Sequence, residues 1–203
     1  MSQRSLYPGS VLHIFNRGSK KELIFQDNAD YERFLLKAFE INQTTKNRII
    51  NYCLLPNHFH FLIAASDMKS IPRFMHRLQV SHSRYYMYKY HTVGRVFQGR
   101  YKSVVVNSDA QLRALTRYIH RNPVEYFNSP EALKTYPWSS YQSFGGDQDS
   151  IIKAEDKGVV LSLFNSVSEY RDFIEADEVL IQSYVKSEAI SYRQLDLKVK
   201  PVD

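Results

Sequence analysis

Two histidines one residue apart are the sharpest chemical feature of this sequence. His58 and His60 flank Phe59 in a run of mostly apolar residues. On a β-strand, residues i and i+2 point to the same face, so both imidazoles would project together. Two neutral imidazoles on a rigid backbone form part of a metal site that needs at least one more ligand. Taken alone, such a pair is more often two hydrogen-bonded histidines of a protein core.

A tyrosine and an asparagine one helical turn apart form the second feature. Tyr118 and Asn122 precede Pro123 and would share one face of a helix that ends before this proline. The oxygen of Asn122 is a suitable ligand for Mg²⁺ or Mn²⁺. A phenol has a pKa of about 10, so Tyr118 needs nearby cations or a metal-bound phosphate to act as a nucleophile. The ordinary alternative is an amphipathic tyrosine at the edge of a core. A basic residue recurs every four positions here: Arg113, Arg117 and Arg121.

The charge of the chain is unevenly distributed. The net charge is +6, but residues 1–121 carry +12 and residues 122–203 carry −6. Residues 69–102 contain eight basic residues and no acidic one, with aromatic residues between them. Cations neutralise phosphates and exposed rings stack on unpaired bases, so this run favours a polyanion partner over a merely solvated helix face. The basic residues are Lys69, Arg73, Arg77, Arg84, Lys89, Arg95, Arg100 and Lys102.

The composition excludes several classes of protein. The chain has 203 residues, 43% of them apolar, which suffices for one sizeable core. The 24% of charged residues, with 7 Gly and 7 Pro, excludes disordered and collagen-like chains. The single cysteine, Cys53, forms no internal disulfide and suits a reducing compartment. No apolar run reaches membrane-spanning length and no signal peptide is recognisable, so we expect a soluble intracellular protein without membrane contact.

Hydrophobic periodicity predicts the element order β-α-β-β-α-β-α. The predicted strands are residues 11–15, 48–55, 58–65 and 104–106, and the predicted helices are residues 30–43, 70–90 and 109–122. A turn at Asn16–Gly18 ends the first strand, and the candidate helix caps are Asn28 or Asp30, Ser70, and Ser108 or Asp109. This order predicts an α+β sandwich with a mostly antiparallel sheet of four to five strands and helices packed on it.

The sequence predicts two regions along the chain. The first is a domain of residues 1–145, in which residues 124–145 are irregular and end at Gly145-Gly146. The second is an acidic extension of residues 146–203, with a helix over 168–185 and a polar tail. The acidity of the extension fits a lid over a basic groove, an oligomer contact or no specific role.

Five ordered segments resemble the transposases of the IS200/IS605 type, which are HUH single-strand nucleases with one catalytic tyrosine. The likeness is greatest to their REP-associated tyrosine transposase branch and covers residues 6–145. The segments are HIFNRG (13–18), LPNHFHFLI (55–63), VFQGRYKS (96–103), YIHRNPV (118–124) and YPWSSY (136–141). The resemblance implies the HUH-nuclease, ferredoxin-like version of the predicted sandwich.

The resemblance also implies roles for individual residues. His58 and His60 would bind a divalent Mg²⁺ or Mn²⁺ ion, with Phe59 as the bulky residue between them. Asn122 would be the third ligand and Tyr118 the nucleophile. The resemblance makes Arg100 and Lys102 candidate DNA contacts. The basic run and the arginine stripe add five more DNA-binding candidates: Arg73, Arg77, Arg84, Arg117 and Arg121. His13 has no assigned role, although the first strand could lie near the site.

The implied activity is metal-dependent cleavage of single-stranded DNA beside a hairpin. Tyr118 would form a 5′-phosphotyrosine intermediate, and a second 3′-OH would rejoin the ends without ATP, in agreement with the lack of a Walker-type sequence. The protein would act in the bacterial cytoplasm, at the nucleoid. A monomer and a homodimer both stay open. The alternatives are a domesticated non-cleaving DNA-binding protein, an RNA-binding α+β module and a basic protein with structural histidines.

Overall fold

A βαββαβ arrangement forms the first part of the chain. The structure, a computed structural model, describes residues 7–144 and 152–176 and divides at Val105 into two compact units. The described residues of the first unit form strands and long helices in this order: β1 Val11–Arg17, α1 Asn28–Thr45, β2 Arg48–Leu55, β3 His58–Ala64, α2 Ser70–Tyr90 and β4 Lys102–Val105. A single turn of 3₁₀ helix at Ser19–Lys21 follows β1.

The four strands form one antiparallel sheet in the order β2-β3-β1-β4. This is the strand order of the ferredoxin-like fold, so the predicted α+β class is confirmed. Antiparallel register places Phe15 of β1 between His60 of β3 and Lys102 of β4. Cys53 of β2 lies on the other side of His60. Side chains alternate along each strand, so these four residues point to one face of the sheet.

Both long helices cover the opposite face of the sheet. Phe34 of α1 contacts Phe59 and Phe61 of β3, with ring centroids 5.3 and 6.3 Å apart. Phe74 of α2 meets Phe61 edge to face at 6.2 Å. These four rings are fully buried and form the core under the helices. Phe59 and Phe61 therefore anchor β3 from behind and leave His58 and His60 on the other face, as the alternation of residue types predicts.

A buried carboxylate links the two helices. Asp30 is fully buried in the first turn of α1. Its carboxylate accepts hydrogen bonds from Tyr85 and Tyr90 and forms an ion pair with Lys89 at 2.7 Å. These hydrogen bonds outweigh the effect of burial and lower the pKa of Asp30 to about 2. The cap of α1 is Asp27, which forms a reciprocal capping box with Asp30. The predictions of Asn28 or Asp30 as the cap were wrong by one to three residues.

The second unit is helical in its described part. Its helices are α3 Asp109–Phe127, α4 Ala132–Thr135, α5 Tyr141–Phe144, α6 Ala154–Leu161 and α7 Val167–Glu175. Ser108, one of the two predicted caps, caps α3. The predicted cap Ser70 is instead the first helical residue of α2, and Lys69 occupies the cap position. The predicted irregular segment thus contains two single helical turns, and the predicted C-terminal helix begins at Val167. The predicted boundary at Gly145-Gly146 and the region beyond residue 176 lie outside the described residues. None of the described helices is long and apolar enough to cross a membrane.

The first strand continues two residues beyond its predicted end. Asn16 and Arg17 pair with Phe59 and His58 of β3, so no turn begins at Asn16. Gly18 is required by close packing, because a Cβ atom there would lie 2.0 Å from the carbonyl oxygen of Glu22. The glycine that suggested a turn instead lets the following chain pass close to the strand. As a result, Arg17 is a sheet residue on the same face as His58.

Helix α3 does not stop before Pro123, as the sequence predicted. Pro123 is buried inside the helix, which continues to Phe127 and ends at Asn128 in a left-handed conformation, φ 50°. A proline in a helix removes one backbone donor and costs about 3 kcal/mol. The side-chain amide of Asn122 donates to the carbonyl of Tyr118 at 2.7 Å, one turn before the proline. Asn122 is therefore an interior helix residue and not the last one.

Candidate active site

The two histidines of β3 lie side by side on the sheet face opposite α1 and α2. Their ring centroids are 5.1 Å apart and the rings are perpendicular. His60 is fully buried and His58 nearly so. Their placement on one face confirms the i, i+2 prediction and brings two of the predicted metal ligands together.

Each of these imidazoles has a hydrogen-bond partner at Nδ1. His58 Nδ1 lies 2.7 Å from Oδ1 of Asn57, and His60 Nδ1 lies 3.0 Å from Nε2 of His13. Asn57 Nδ2 donates to the carbonyl of Lys21, which fixes the orientation of the amide. Because an amide oxygen only accepts, His58 carries its proton on Nδ1. In the neutral ring, the Nε2 atom of His58 has the lone pair that a metal requires.

Burial keeps His60 and His13 neutral. The pKa of His60 is lowered well below its usual value, first by burial and then by the neighbouring His58 and His13. Burial alone lowers the pKa of His13 to about 3. Neutral imidazole is the form that binds metal ions, so the site is prepared for a ligand role near neutral pH.

Tyr118 and Asn122 lie one turn apart on α3, in the second unit. The bond from Asn122 Nδ2 to the Tyr118 carbonyl directs the amide nitrogen along the helix, and Oδ1 is the atom suited to a metal. Asn122 is buried and Tyr118 is partly exposed. Of the predicted ligands, His58 and His60 belong to the first unit and Asn122 to the second, and a site shared by all three stays a prediction.

The donors of the first unit fit a divalent cation. His60 is kept neutral by burial, and both His58 and His60 lie on neighbouring same-face positions with Nδ1 engaged. Residues 7–144 and 152–176 contain no group of three His, Cys, Asp or Glu that could hold a metal. A set of two imidazoles and one amide oxygen needs no such group, since the hard amide oxygen suits Mg²⁺ or Mn²⁺.

Cationic residues lie beside the histidines on the same sheet face. Lys102 occupies the edge strand in the row of His60 and is exposed, and Arg100 is exposed in the preceding loop. Arg17 is the cross-strand neighbour of His58, and its guanidinium donates to Gln98. Arg17 is not among the sequence-based candidates, because the predicted first strand ends at Phe15. Alternate residues of a strand share a face, so extending the strand to Arg17 would place it on the face of His13 and Phe15.

The predicted arginines of α2 lie on the helical side, away from the histidine face. Arg77 and Arg84 line a groove of about 410 Å³ between α1 and α2, together with Arg33 and Lys37 of α1. Arg73 is exposed outside this groove and forms an ion pair with Asp67 at 2.6 Å. The sequence did not indicate the α1 cations, since only the packing of two helices brings them next to α2.

Two predicted DNA-binding arginines of α3 contact the end of α7. Arg117 is buried and donates to the carbonyls of Phe173 and Ala176, and Arg121 donates to the carbonyl of Ile174 at 3.2 Å. Cations are favoured at the carbonyl end of a helix. These arginines therefore hold α7 against the tyrosine helix, and a DNA contact for them stays a prediction.

Most aromatic residues of the basic run, residues 69–102, pack in the core or bond to groups at its edge. Tyr86 and Phe97 are buried, and Tyr85 and Tyr90 bond the carboxylate of Asp30. Tyr88 is 84% exposed and is suited to stack on a base. The interleaved pattern thus reflects helix packing more than a continuous stacking platform.

The fold and the histidine pair define the class. A βαββαβ antiparallel sheet with two same-face imidazoles on β3 agrees with the resemblance found in the sequence. The chain belongs to the family described as IS200-like transposases, whose sequence model matches residues 8–122. It is a transposase of that family, as the sequence motifs predicted.

A solved structure shows the same fold at low sequence identity. A REP-associated tyrosine transposase bound to a REP hairpin matches with a TM-score of 0.56 and 14% identity over 70% of this chain and 82% of that one. A candidate transposase from Deinococcus radiodurans has a TM-score of 0.42 and 16% identity over 60% of this chain and 97% of that one. The tRNA(His) guanylyltransferase of Saccharomyces cerevisiae has a TM-score of 0.45 and 10% identity over 88% and 83%. The last two likenesses are too weak to bear on the fold. No curated protein matches the sequence.

Proposed function

We propose that this transposase cuts and rejoins single-stranded DNA beside a hairpin, with a divalent metal and a covalent tyrosine intermediate. The observation that carries the proposal is the pair of imidazoles of His58 and His60, each with Nδ1 engaged, on one sheet face. Two core histidines would need no shared face and no matching Nδ1 partners. Membership in the transposase family supports the reaction class.

His58, His60 and Asn122 are the residues that would hold Mg²⁺ or Mn²⁺. When bound, the ion would supply orientation of the scissile phosphate and stabilisation of charge on its non-bridging oxygens. The two imidazoles donate nitrogen lone pairs, and Asn122 donates its amide oxygen. Arg17 and Lys102, on the histidine face, would balance the phosphate charge from the protein side.

Tyr118 is the nucleophile of the proposed reaction. Its Oη loses the phenolic proton and forms a bond to the phosphorus, while the bond from phosphorus to the 3′ oxygen breaks. The 3′ oxygen leaves as a hydroxyl, and the other DNA end stays attached as a 5′-phosphotyrosine. A second 3′-OH reverses these steps on a new strand. One phosphoester replaces another, so the reaction needs no ATP.

DNA would contact two surfaces of the first unit. The strand that is cut would pass over the histidine face, beside Lys102 and Arg100. The four cations of the α1–α2 groove, where Lys37 also pairs with Glu40, would contact phosphates of the hairpin stem on the opposite side of the sheet. The REP-associated relative of the same fold was solved with a REP hairpin, which supports a hairpin as the ligand here.

Metal removal tests the metal-dependent part of the proposal. A hairpin-containing single strand is incubated with wild type, with His58→Ala and with His60→Ala, with Mn²⁺ or with EDTA. We expect cleavage with wild type and Mn²⁺, and at least a 100-fold loss in EDTA and in either variant. Binding of the same DNA, measured by fluorescence anisotropy, should change much less because the cationic surfaces persist.

His91→Asn is the matched control, since His91 is exposed and its left-handed backbone, φ 50°, tolerates asparagine. This variant should cleave like wild type. Equal cleavage with and without EDTA contradicts the metal site. DNA binding without cleavage under all conditions favours the non-cleaving alternative.

A further inference from the structure

We infer that His13 is a positioning residue that holds the metal ligand His60 in the tautomer and orientation needed for coordination. The inference rests on the metal site proposed above and assigns a role to the third imidazole of the histidine face. His13 lies on β1, opposite Leu62, and its Nε2 is 3.0 Å from Nδ1 of His60. Both residues are fully buried.

The direction of this hydrogen bond decides whether His60 can bind a metal. A neutral imidazole has one N–H and one lone pair. If His60 donates from Nδ1, its Nε2 has the lone pair and can coordinate. If His13 donates instead, the proton of His60 sits on Nε2 and blocks coordination. The metal site therefore requires His13 to accept, which places the proton of His13 on Nδ1.

The geometry separates His13 from the ligands themselves. The Nε2 atom of His13 is occupied by the bond to Nδ1 of His60, on the side of that ring away from its Nε2 atom. The rings of His13 and His60 are nearly parallel, 21° apart, with centroids at 5.2 Å, and His13 stacks on Phe15 at 5.0 Å. These contacts fix the plane of His13 and, through the hydrogen bond, the plane of His60.

The same device recurs at the neighbouring ligand. Oδ1 of Asn57 accepts from Nδ1 of His58 at 2.7 Å, and the other end of the amide is bonded to Lys21. Both ligands thus have a fixed Nδ1 partner, which is the outer-shell arrangement that orients metal-bound histidines and strengthens their binding. His82 is a buried histidine without a proposed metal role. It donates from Nε2 to the carbonyl of Ile24 and lies on the helical side of the sheet.

Two-dimensional ¹H–¹⁵N correlation through the ring nitrogens tests the tautomer directly, in metal-free wild-type protein with labelled histidine. We expect His60 protonated on Nδ1 and His13 also protonated on Nδ1. The opposite pair, with protons on Nε2 of both rings, overturns the inference. This measurement needs no variant and no activity.

Manganese titration by calorimetry tests the consequence. We expect His13→Leu to weaken Mn²⁺ binding 10- to 100-fold, the usual effect of losing an outer-shell partner. His13→Gln, whose Oε1 can accept from His60 Nδ1, should stay within a few-fold of wild type. The control His82→Leu also removes a buried, hydrogen-bonded imidazole and should leave the Mn²⁺ affinity unchanged.

The outcomes separate the inference from the function on which it rests. Unchanged affinity in His13→Leu, with His60→Ala unable to bind, overturns the positioning role and leaves the metal site standing. A loss in His13→Leu that His13→Gln does not restore also overturns it. If His58→Ala and His60→Ala bind Mn²⁺ like wild type, the proposed metal site is wrong and the inference falls with it.

Discussion

At the scale of single residues, the nitrogen and the oxygen of the Asn122 side-chain amide can be tested separately. Asn122 uses Nδ2 to bond the Tyr118 carbonyl, which leaves Oδ1 as the candidate ligand. Asn122→Ala removes both atoms, whereas Asn122→Asp keeps an oxygen and loses the donor. We expect Mn²⁺ affinity to fall at least 10-fold in Asn122→Ala and to be retained in Asn122→Asp. Equal affinity in Asn122→Ala and wild type, by calorimetric titration, would exclude Asn122 as a ligand.

Residue types and spacing predicted the shared face of His58 and His60 but not the hydrogen-bond partners of these histidines. His58 and His60 share a face because strand side chains alternate, a rule that needs no tertiary information. His13 and Asn57 take their roles from strand pairing and from the turn between β2 and β3. A single sequence does not specify which strand lies beside which, so the partner of His60 Nδ1 became visible only in the sheet.

At the scale of elements, α2 has one face in the core and one face of cations. Arg77 and Arg84 line the groove with two cations of α1, and Arg73 is engaged by Asp67. We expect Arg77→Ala/Arg84→Ala to reduce the slope of log K against log salt by about 1.4 to 1.8, as two lost phosphate contacts would. Arg73→Ala should change the slope less, because its ion pair competes with phosphate. Anisotropy titrations over a salt series measure both.

If Arg73→Ala lowers the salt slope more than the double variant does, the DNA stem does not bind in the groove.

Helix and strand periodicity predicted the long elements closely, including both ends of β2 and of α2. Short-range signals failed at Gly18 and Pro123. Gly18 serves a close approach of Glu22, and Pro123 is tolerated inside α3 because tertiary packing, which local propensity does not include, supports the helix.

At the scale of the whole molecule, buried neutral histidines make stability depend on pH. Burial lowers the pKa of His82 to about 4, against 6.5 for the free side chain. Between these two pH values, His82 binds a proton in the unfolded chain but stays neutral in the folded protein. The stabilisation is complete above pH 6.5 and declines as the pH falls toward 4, by about 1.4 kcal/mol per pH unit for one such group.

His82→Gln tests this contribution, since its amide can still donate to the carbonyl of Ile24. The free energy of unfolding from urea titrations at pH 6 and 4.5 should fall less steeply in this variant, by about 1.4 kcal/mol per pH unit. Slopes equal to wild type would mean that His82 is not held neutral in the folded protein.

Ion pairs between residues far apart in the sequence neutralise part of the charge that the sequence pattern assigns to the basic run. The run of residues 69–102 contains no acid, yet Lys89 pairs with Asp27 and Asp30 of α1. Part of its positive charge is therefore neutralised by residues 59 to 62 positions away. A window along the sequence counts such cations as available for DNA, and only the packed helices show which ones are.

The covalent intermediate is the central claim, and a denaturing gel tests it most directly. Hairpin-containing single strands with a 3′ label are incubated with Mn²⁺ and either wild type or Tyr118→Phe. The account predicts label that migrates with the protein for wild type only, because the 5′-phosphotyrosine retains the 3′ fragment. Tyr118→Phe should bind the DNA with nearly unchanged affinity, since the ring and its packing persist. A labelled adduct in Tyr118→Phe, or wild-type cleavage without any adduct, would contradict the account.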